Sequence, residues 1–391
     1  MRILFVSALV NPLNKPINGD AQRTQLLLKA CAKIGAVDVV TFAGKAKVDA
    51  LTLDGVMVAF DEKVSADKHP LSRWKKWSFL LPWAGAQSLF PVNHRWELVI
   101  DNLIQTSNYD LIVTRYFPRA VSCGLWKYHD RLVVDFDDAP AFFFLNQRVT
   151  ASALTTRARL RLASRKAVSI SRRAVRNIHA SFFAEEATAL ANRGTYLPNV
   201  PYYIGSCNDA DINTPIKRIV FVGQLEYLPN KEGLDHFLEH VYLPLRKQMP
   251  NVEMHIVGFI SDDALRKRWN SYPGVTVTGF VDDLKLEYSL GHVVIVPIYR
   301  CGATNIKLLE AMTMNRACVT TKEALEKLND RFENGKDLYA ASNDDEYVAM
   351  LIRLLTDETE NHRVAHNAKR IMDDYYSFDG FCQIVQNAIV K

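Results

Sequence analysis

Strand–helix alternation that runs once and then restarts after a polar break is the feature that most narrows what this chain can fold into. In the first half, short β-rich apolar runs at Ile3–Leu9, Val37–Phe42, Leu111–Arg115 and Leu132–Phe136 alternate with helical stretches such as Ala21–Ile34. Strands joined through helices pair in parallel, so they build an open sheet with helices on both faces and loops gathered at the carboxyl ends. Residues 199–215 (NVPYYIGSCNDADINTP) interrupt the pattern with Asn, Asp, Pro and Gly and read as a linker. Beyond them, strands are expected at Arg218–Gly223, Val252–Gly258, Val275–Thr278, Val293–Pro297 and Ala317–Thr321. A helix is expected over Lys231–Gln248 and another opening near Thr304. A chain of 391 residues suits two such α/β domains, over about 1–198 and 216–370, with a short C-terminal segment at 371–391.

Composition supports a globular reading: 48% of residues are hydrophobic and 23% charged, enough apolar material for two cores. The six cysteines (Cys31, Cys123, Cys207, Cys301, Cys318, Cys382) lie far apart with no C-x-x-C pair. That argues against a disulfide framework or a zinc ribbon and fits a reducing, cytoplasmic setting. The N-terminal MRILFVSALVNPL has a single basic residue, no small-x-small cleavage site, and an amphipathic helix behind it, so it reads as a buried strand rather than a signal peptide. No apolar run reaches the roughly 18 residues of a spanning helix. Charge is uneven. Residues 1–200 carry 27 Lys and Arg against 16 Asp and Glu, whereas the remainder carry 21 against 27. The first half therefore suits an anionic partner or surface.

The segment PIYRCGATNIKLLEAM, Pro297 to Met312, carries the clearest chemistry. A strand ends, the small residues Cys301, Gly302 and Ala303 turn the chain, and Thr304 can cap a new helix. Free amides and the positive dipole end of a helix start suit a diphosphate. Lys307 adds a mobile positive charge, and Glu310 can accept hydrogen bonds from a sugar hydroxyl. A buried helix with Lys307 and Glu310 solvated fits the same residues.

FVGQLEYLPNKEGLDHF, MHIVGF, VTVTGFVDDL, GATNIKLLEAM and ACVTT, in that order between about Arg218 and Asp345, resemble the C-terminal domain of retaining GT-B glycosyltransferases of the group 1 type. The branch of bacterial surface-polysaccharide biosynthesis is the most similar. Gly19-x-x-x-Arg23, VTRY and VVDFDDAP add weaker matches in the first half. The resemblance implies a GT-B fold, two Rossmann-like domains facing a central cleft, with the last helix (Phe378–Val390) returning to the N-terminal domain. It implies that Glu310 binds the ribose, that Lys307 and the amides of Gly302, Ala303, Thr304 and Asn305 hold the diphosphate, and that Phe280 and Val281 flank the base. Gly223, and Gly19 from the opposing domain, would let the backbone approach the donor. Lys307 and Asp137 are the candidate catalytic residues, and Arg23, Arg115 and Asp138 lie on the acceptor side. The implied reaction moves a sugar, with retention and without an obligatory metal or other cofactor, from a nucleoside diphosphate sugar (UDP or GDP) to a saccharide or lipid-linked saccharide.

The sequence departs from the family in places. Gly302 stands where a Glu is usual, Gln224 where an Arg is usual, Asn230 and Lys231 compete for a Lys position, and Asp137 replaces a His. These changes keep a second reading open, a degenerate GT-B module that binds nucleotide or glycan without turnover. A third comes from Asp135, Asp137 and Asp138, since D-x-D after a strand also resembles the metal-holding motif of GT-A glycosyltransferases. His236-x-x-Glu239-His240 matches an inverted zinc-peptidase pattern but lacks a third ligand, so a packed or solvated helix face is the better reading; His362 and His366 read likewise. The acid-free run from Arg157 to Arg176 holds eight basic residues, and Lys75–Lys76 sits between Trp74 and Trp77 ahead of SFLLPWAGAQSLFPV. Either a solvated helix or an anionic membrane contact explains them. No recognition motif favours nucleic acid.

Overall fold

A computed structural model describes residues 1–16, 19–47, 50–65, 78–79, 85–137, 154–202, 205–299, 305–328 and 331–390. The chain divides into two compact units, one of Met1–Pro198 with Phe378–Lys391 and the other of Asn199–Ser377.

The first unit is built on seven parallel strands: β1 (Arg2–Ser7), β2 (Ala36–Thr41), β3 (Val56–Phe60), β4 (Leu111–Arg115), β5 (Leu132–Asp137), β6 (Ala180–Phe183) and β7 (Thr195–Tyr196). Their order is β3-β2-β1-β4-β5-β6-β7. The central strands are continuous apolar runs because both faces are covered; Ile3, Leu4, Phe5 and Val6 are all fully buried. Helix Gly19–Ile34 follows β1. Helix His94–Thr106 opens on Asn93, whose side chain accepts from the amides of Arg95 and Trp96. The long helix Leu154–Asn177 buries Leu160, Ala163, Ala167, Ile170 and Ala174, a spacing that keeps one face on the sheet. The final helix, Phe378–Ile389, packs in this unit against Gly19–Ile34. Lys33 Nζ meets Asp379 Oδ1 at 2.9 Å, and His179 Nε2 lies 2.9 Å from the Ile389 carbonyl.

The second unit has six parallel strands: β8 (Lys217–Val222), β9 (Val252–Val257), β10 (Val275–Gly279), β11 (Val293–Val296), β12 (Ala317–Thr321) and β13 (Tyr339–Ala341), in the order β10-β9-β8-β11-β12-β13. Its core gathers Phe237, Tyr242, Trp269, Tyr347 and Leu351 over the sheet. Helical structure from Leu228 to Gln248 contains one π turn at Leu238–Tyr242. Residues 207–214 lie on this unit. His362 Nε2 contacts the Ala210 carbonyl at 2.9 Å, His366 Nε2 contacts Asp209 at 2.6 Å, and the buried Arg316 donates to the Asn208 carbonyl at 2.7 Å. Among the described residues, no helix is long and apolar enough to cross a membrane.

Each sheet reverses its strand order once, between β1 and β4 and between β8 and β11. The crevice beyond the carboxyl ends at such a switch point is where open α/β sheets bind ligands, so the topology nominates one place in each unit.

Candidate functional site

In the second unit the helix after β8 packs closely on the loop after β11, and the loop after β9 on the loop after β8. A Cβ on Gly233 would lie 1.9 Å from the Pro297 carbonyl oxygen, and one on Gly258 (φ +149°) would lie 1.7 Å from that of Gly223. Only glycine fits either position. The helix after β11 runs Ile306–Thr313, and its N-cap is Asn305, with no side-chain capping bond, rather than Thr304. Lys307 Nζ donates to Asn305 Oδ1 at 3.4 Å. Lys307 Cε and Asn230 Nδ2 would lie 3.3 and 3.2 Å from a Cβ on Gly223. Gly223, Asn230, Asn305 and Lys307 therefore meet at the β8/β11 switch point. Glu310, one turn on, is 5% exposed. Phe280, exposed, and Val281, half-buried, follow β10, two strands from β8 at the same end of the sheet. Gly302, Ala303 and Thr304 lie outside the described residues.

Asn230 and Lys231, the two residues that compete for a Lys position in the sequence, face different partners. Lys231 is turned to Asp235 at 3.1 Å, and Asp235 also receives the Trp269 indole N–H at 2.7 Å and an ion pair from Arg268. Asn230 is the residue beside Gly223. It is 2% exposed, its Nδ2 donates to the Gln224 carbonyl at 2.7 Å, and its Oδ1 has no hydrogen-bond partner among the described residues.

The first unit places a buried charge network at the ends of β4 and β5. Asp135, fully buried, takes Arg23 Nε and Nη2 at 2.8 Å each and Arg115 Nε at 2.9 Å. Arg115 Nη2 reaches Asp137 Oδ2 at 2.6 Å and the Tyr116 hydroxyl at 3.2 Å, while its Nη1 donates to the Asp20 carbonyl at 2.6 Å and to Thr24 Oγ1 at 2.8 Å. All five N–H groups of Arg115 thus have protein acceptors. Burial opposes the charge on Asp135, but the two guanidiniums outweigh it and hold the carboxyl below its ordinary range. Burial likewise works against the charge on Arg23 and Arg115, and the aspartates around them raise both above the ordinary value. The Tyr116 hydroxyl, 2.7 Å from Asp20 Oδ1, is pushed well up by burial and keeps its proton despite the nearby Arg115.

This arrangement overturns the metal-holding reading of Asp135 and Asp137. Their carboxylates are aimed at guanidiniums, and the second Rossmann-like unit does not belong to a GT-A fold. Asp138 lies outside the described residues. Gly19 is half-buried at the start of its helix, next to Asp20. A pocket over β1 and β4 is walled by the loop 7–10, Asp20, Thr24, Arg115, Tyr116 and Arg119. Sequence reasoning missed Asp20, Tyr116 and Arg119. The signal for the last two was available, since they follow the β4 strand directly in VTRYFPR. His236 pairs with Asp344 (2.8 Å) and packs edge-on to Tyr299, with His240 beside it.

Residues 216–357 match the model of the family "Glycosyl transferases group 1". A search of the curated proteins finds no significant sequence relative. Among solved structures, sucrose-phosphate synthase from Thermosynechococcus elongatus is similar with a TM-score of 0.66 at 14% identity, over 99% of this chain and 97% of that one. HepE from Anabaena, solved in complex with UDP-glucose, gives 0.61 at 16% identity over 100% of both chains. WaaG, a glycosyltransferase involved in lipopolysaccharide biosynthesis, gives 0.63 at 13% over 99% of both. The fold is therefore GT-B, and together with the family match over residues 216–357 it supports a GT-B glycosyltransferase.

Proposed function

We propose that the chain transfers a hexosyl group, with retention, from a nucleoside diphosphate sugar to a saccharide or lipid-linked saccharide. In this reading the second unit binds the donor and the first the acceptor. The observation that carries it is the meeting of Gly223, Asn305 and Lys307 at the β8/β11 switch point, with Glu310 one turn on. As the bond from the anomeric carbon to the phosphate oxygen breaks, negative charge grows on the leaving diphosphate. A lysine ammonium and helix-start amides stabilise that charge without a divalent cation. Glu310 would accept from ribose hydroxyls, and Phe280 and Val281 would flank the base. Gly302, Ala303 and Thr304 would complete the diphosphate site.

On the acceptor side, Arg23 and Arg115 act by fixing Asp137 and Tyr116, since their own donors are occupied. HepE's complex with UDP-glucose makes UDP the first donor base to try, with GDP second. The basic first half and its arginine-rich helix suit a peripheral position on the anionic inner face of the plasma membrane, where a surface-polysaccharide precursor would be presented.

The decisive experiment incubates the full chain with UDP- and GDP-hexoses and acceptor saccharides, with and without EDTA, and follows the anomeric configuration of the product by NMR. Retention that persists in EDTA is expected. An inverted product, or activity abolished by EDTA and restored by manganese, overturns the mechanism. Gly302 and Gln224, where a Glu and an Arg are usual, favour one alternative, a nucleotide-binding module without turnover. Nucleotide binding with neither transfer nor donor hydrolysis would establish it.

A further inference from the structure

The charged groups around the first unit's pocket are not all paired with one another. Asp135 and Asp137 are neutralised by the buried Arg23 and Arg115, and Arg115, though it lines the pocket, has all its donors occupied. Two charged groups remain. Asp20 is exposed, and its Oδ1 accepts from the Tyr116 hydroxyl. Arg119 is half-buried, and its side chain has no carboxylate or hydrogen-bond partner among the described residues. A guanidinium cannot shed its charge and offers donors only, and with no protein acceptor among the described residues those of Arg119 are left to solvent on the pocket wall, open to an incoming anion. Its planar fork matches a phosphate or carboxylate. Asp20 and the Tyr116 hydroxyl, a few residues away on the same wall, are the groups that hold sugar hydroxyls.

We infer that this pocket is a subsite for an anionic saccharide, with Arg119 receiving the anionic substituent and Asp20 with Tyr116 receiving hydroxyls. The inference rests on the reading that the first unit binds the acceptor, and it narrows that acceptor to a sugar bearing a phosphate monoester or a carboxylate. A neutral sugar leaves Arg119 unpaired, and an anion without a sugar leaves Asp20 facing like charge.

Calorimetric titration of the full chain with glucose 6-phosphate, glucuronate, glucose and inorganic phosphate tests it. At least one of the two anionic sugars should bind roughly tenfold or more tightly than both glucose and phosphate. Which of them does so separates the phosphate ester from the carboxylate. Arg119→Gln, checked for an unchanged melting temperature, should reduce that sugar to the level of glucose. Arg119→Lys should keep part of the affinity. Lys307→Ala, in the other unit, should leave it intact, which excludes the donor's diphosphate site as the place of binding. The inference fails if glucose or phosphate binds as well as the anionic sugars, if none of the four binds, or if Arg119→Gln changes nothing. Failure here with nucleotide binding and transfer intact leaves the transferase reading standing. Arg119-dependent sugar binding without nucleotide binding or transfer would overturn that reading instead.

Discussion

Tyr116, just after β4, and Asp137, the last residue of the neighbouring β5, share an uncommon backbone state and meet there. Their φ angles are 66° and 60°, and the Tyr116 hydroxyl lies 3.3 Å from Asp137 Oδ2 while donating to the nearer Asp20. Positive φ at a non-glycine residue costs roughly 1–3 kcal/mol and persists where surrounding contacts over-determine it. Those contacts are the donors of Arg115, which bond both residues. The hydroxyl is thus held by the site rather than by the core. Tyr116→Phe keeps the ring and should shift the melting temperature by no more than about 3 °C, since a lost partly exposed hydrogen bond is worth about 1 kcal/mol. Transfer to acceptor should fall while nucleotide affinity stays constant. Wild-type turnover in this variant would remove Tyr116 from the acceptor site.

Asp135 makes the opposite case, a carboxylate that serves the fold. Replacing it with Ala leaves Arg23 and Arg115 buried with only Asp137 for compensation, and breaking a buried pair on one side costs roughly 3–5 kcal/mol. The urea midpoint of Asp135→Ala should drop accordingly. Because the folded carboxyl titrates below its unfolded value, the stability it contributes is present above the ordinary carboxylate range and lost as pH falls through the folded value. Acid unfolding of the wild type should therefore be steeper than that of Asp135→Ala. Parallel acid limbs would show that Asp135 is not the anchor.

Much of this fold was legible because buried parallel strands have a strong signature. Leu111–Arg115 is found as expected, and β1, β2, β5, β8, β9, β10, β11 and β12 lie within a residue or two of expectation. The missed strands had weaker signals. β3 is an edge strand with Met57 and Val58 exposed, β6 is a four-residue run (Ala180–Phe183), and β7 and β13 have only two and three residues. At the site, Gly223, Lys307 and Glu310 could be picked out because a glycine turn and a helix start leave a pattern in sequence. Asn230 could be named only as a rival of Lys231, since what singles it out is its place beside Gly223 and an Oδ1 without a partner among the described residues. The aromatic segment before residue 93 divides: Phe79 and Phe90 are core residues, while Trp74 and Trp77 lie outside the described residues.

Nucleotide binding should depend on Lys307 and Glu310. Removing either charge-assisted hydrogen-bonding group should weaken nucleoside diphosphate affinity by roughly 1.5–3 kcal/mol, about tenfold to a hundredfold. Asn230→Lys would place a cation beside Gly223 and should strengthen binding, more so at low salt. If Lys307→Ala and Glu310→Ala both fold and bind like wild type, the donor site lies elsewhere.

The stretch entering β8 should loosen in mild acid. His292, buried, accepts the Arg218 amide N–H on Nδ1 at 2.7 Å, and its Nε2 lies 3.0 Å from the Asp211 carbonyl and 2.9 Å from Thr214 Oγ1. This geometry requires a neutral ring, and burial lowers its pKa from the ordinary 6.5. A base depressed in the folded state contributes stability that is fully present above the unfolded pKa and declines as pH falls below it. Amide exchange in residues 209–218, corrected for intrinsic rate, should rise between pH 6.5 and 5 while the β9 amides stay protected. Uniform protection over that range would eliminate His292 as the sensor.

Helix Leu154–Asn177 gives the membrane reading a surface to test. About 36 Å long by helical rise, it contains no acidic residue, and Arg161, Arg165, Arg172 and Arg176 are all exposed. Their spacing (i, i+4, i+11, i+15) sets them on one face, with Leu160, Ala163, Ala167 and Ala174 buried on another. A solvated helix needs no such sorting of sign, because mixed charges would solubilise it equally well. Each basic residue close to an anionic bilayer contributes on the order of 1 kcal/mol, so four on one face can recruit the protein at ordinary salt. Co-sedimentation with vesicles of phosphatidylcholine and phosphatidylglycerol should show binding that needs the anionic lipid and weakens with added salt. It should also fall sharply when the four arginines become Gln, at unchanged melting temperature. Equal sedimentation of this variant would move the contact away from the helix. If the wild type stays in the supernatant at low salt, there is no such docking, and an acceptor free in solution becomes the one to assay.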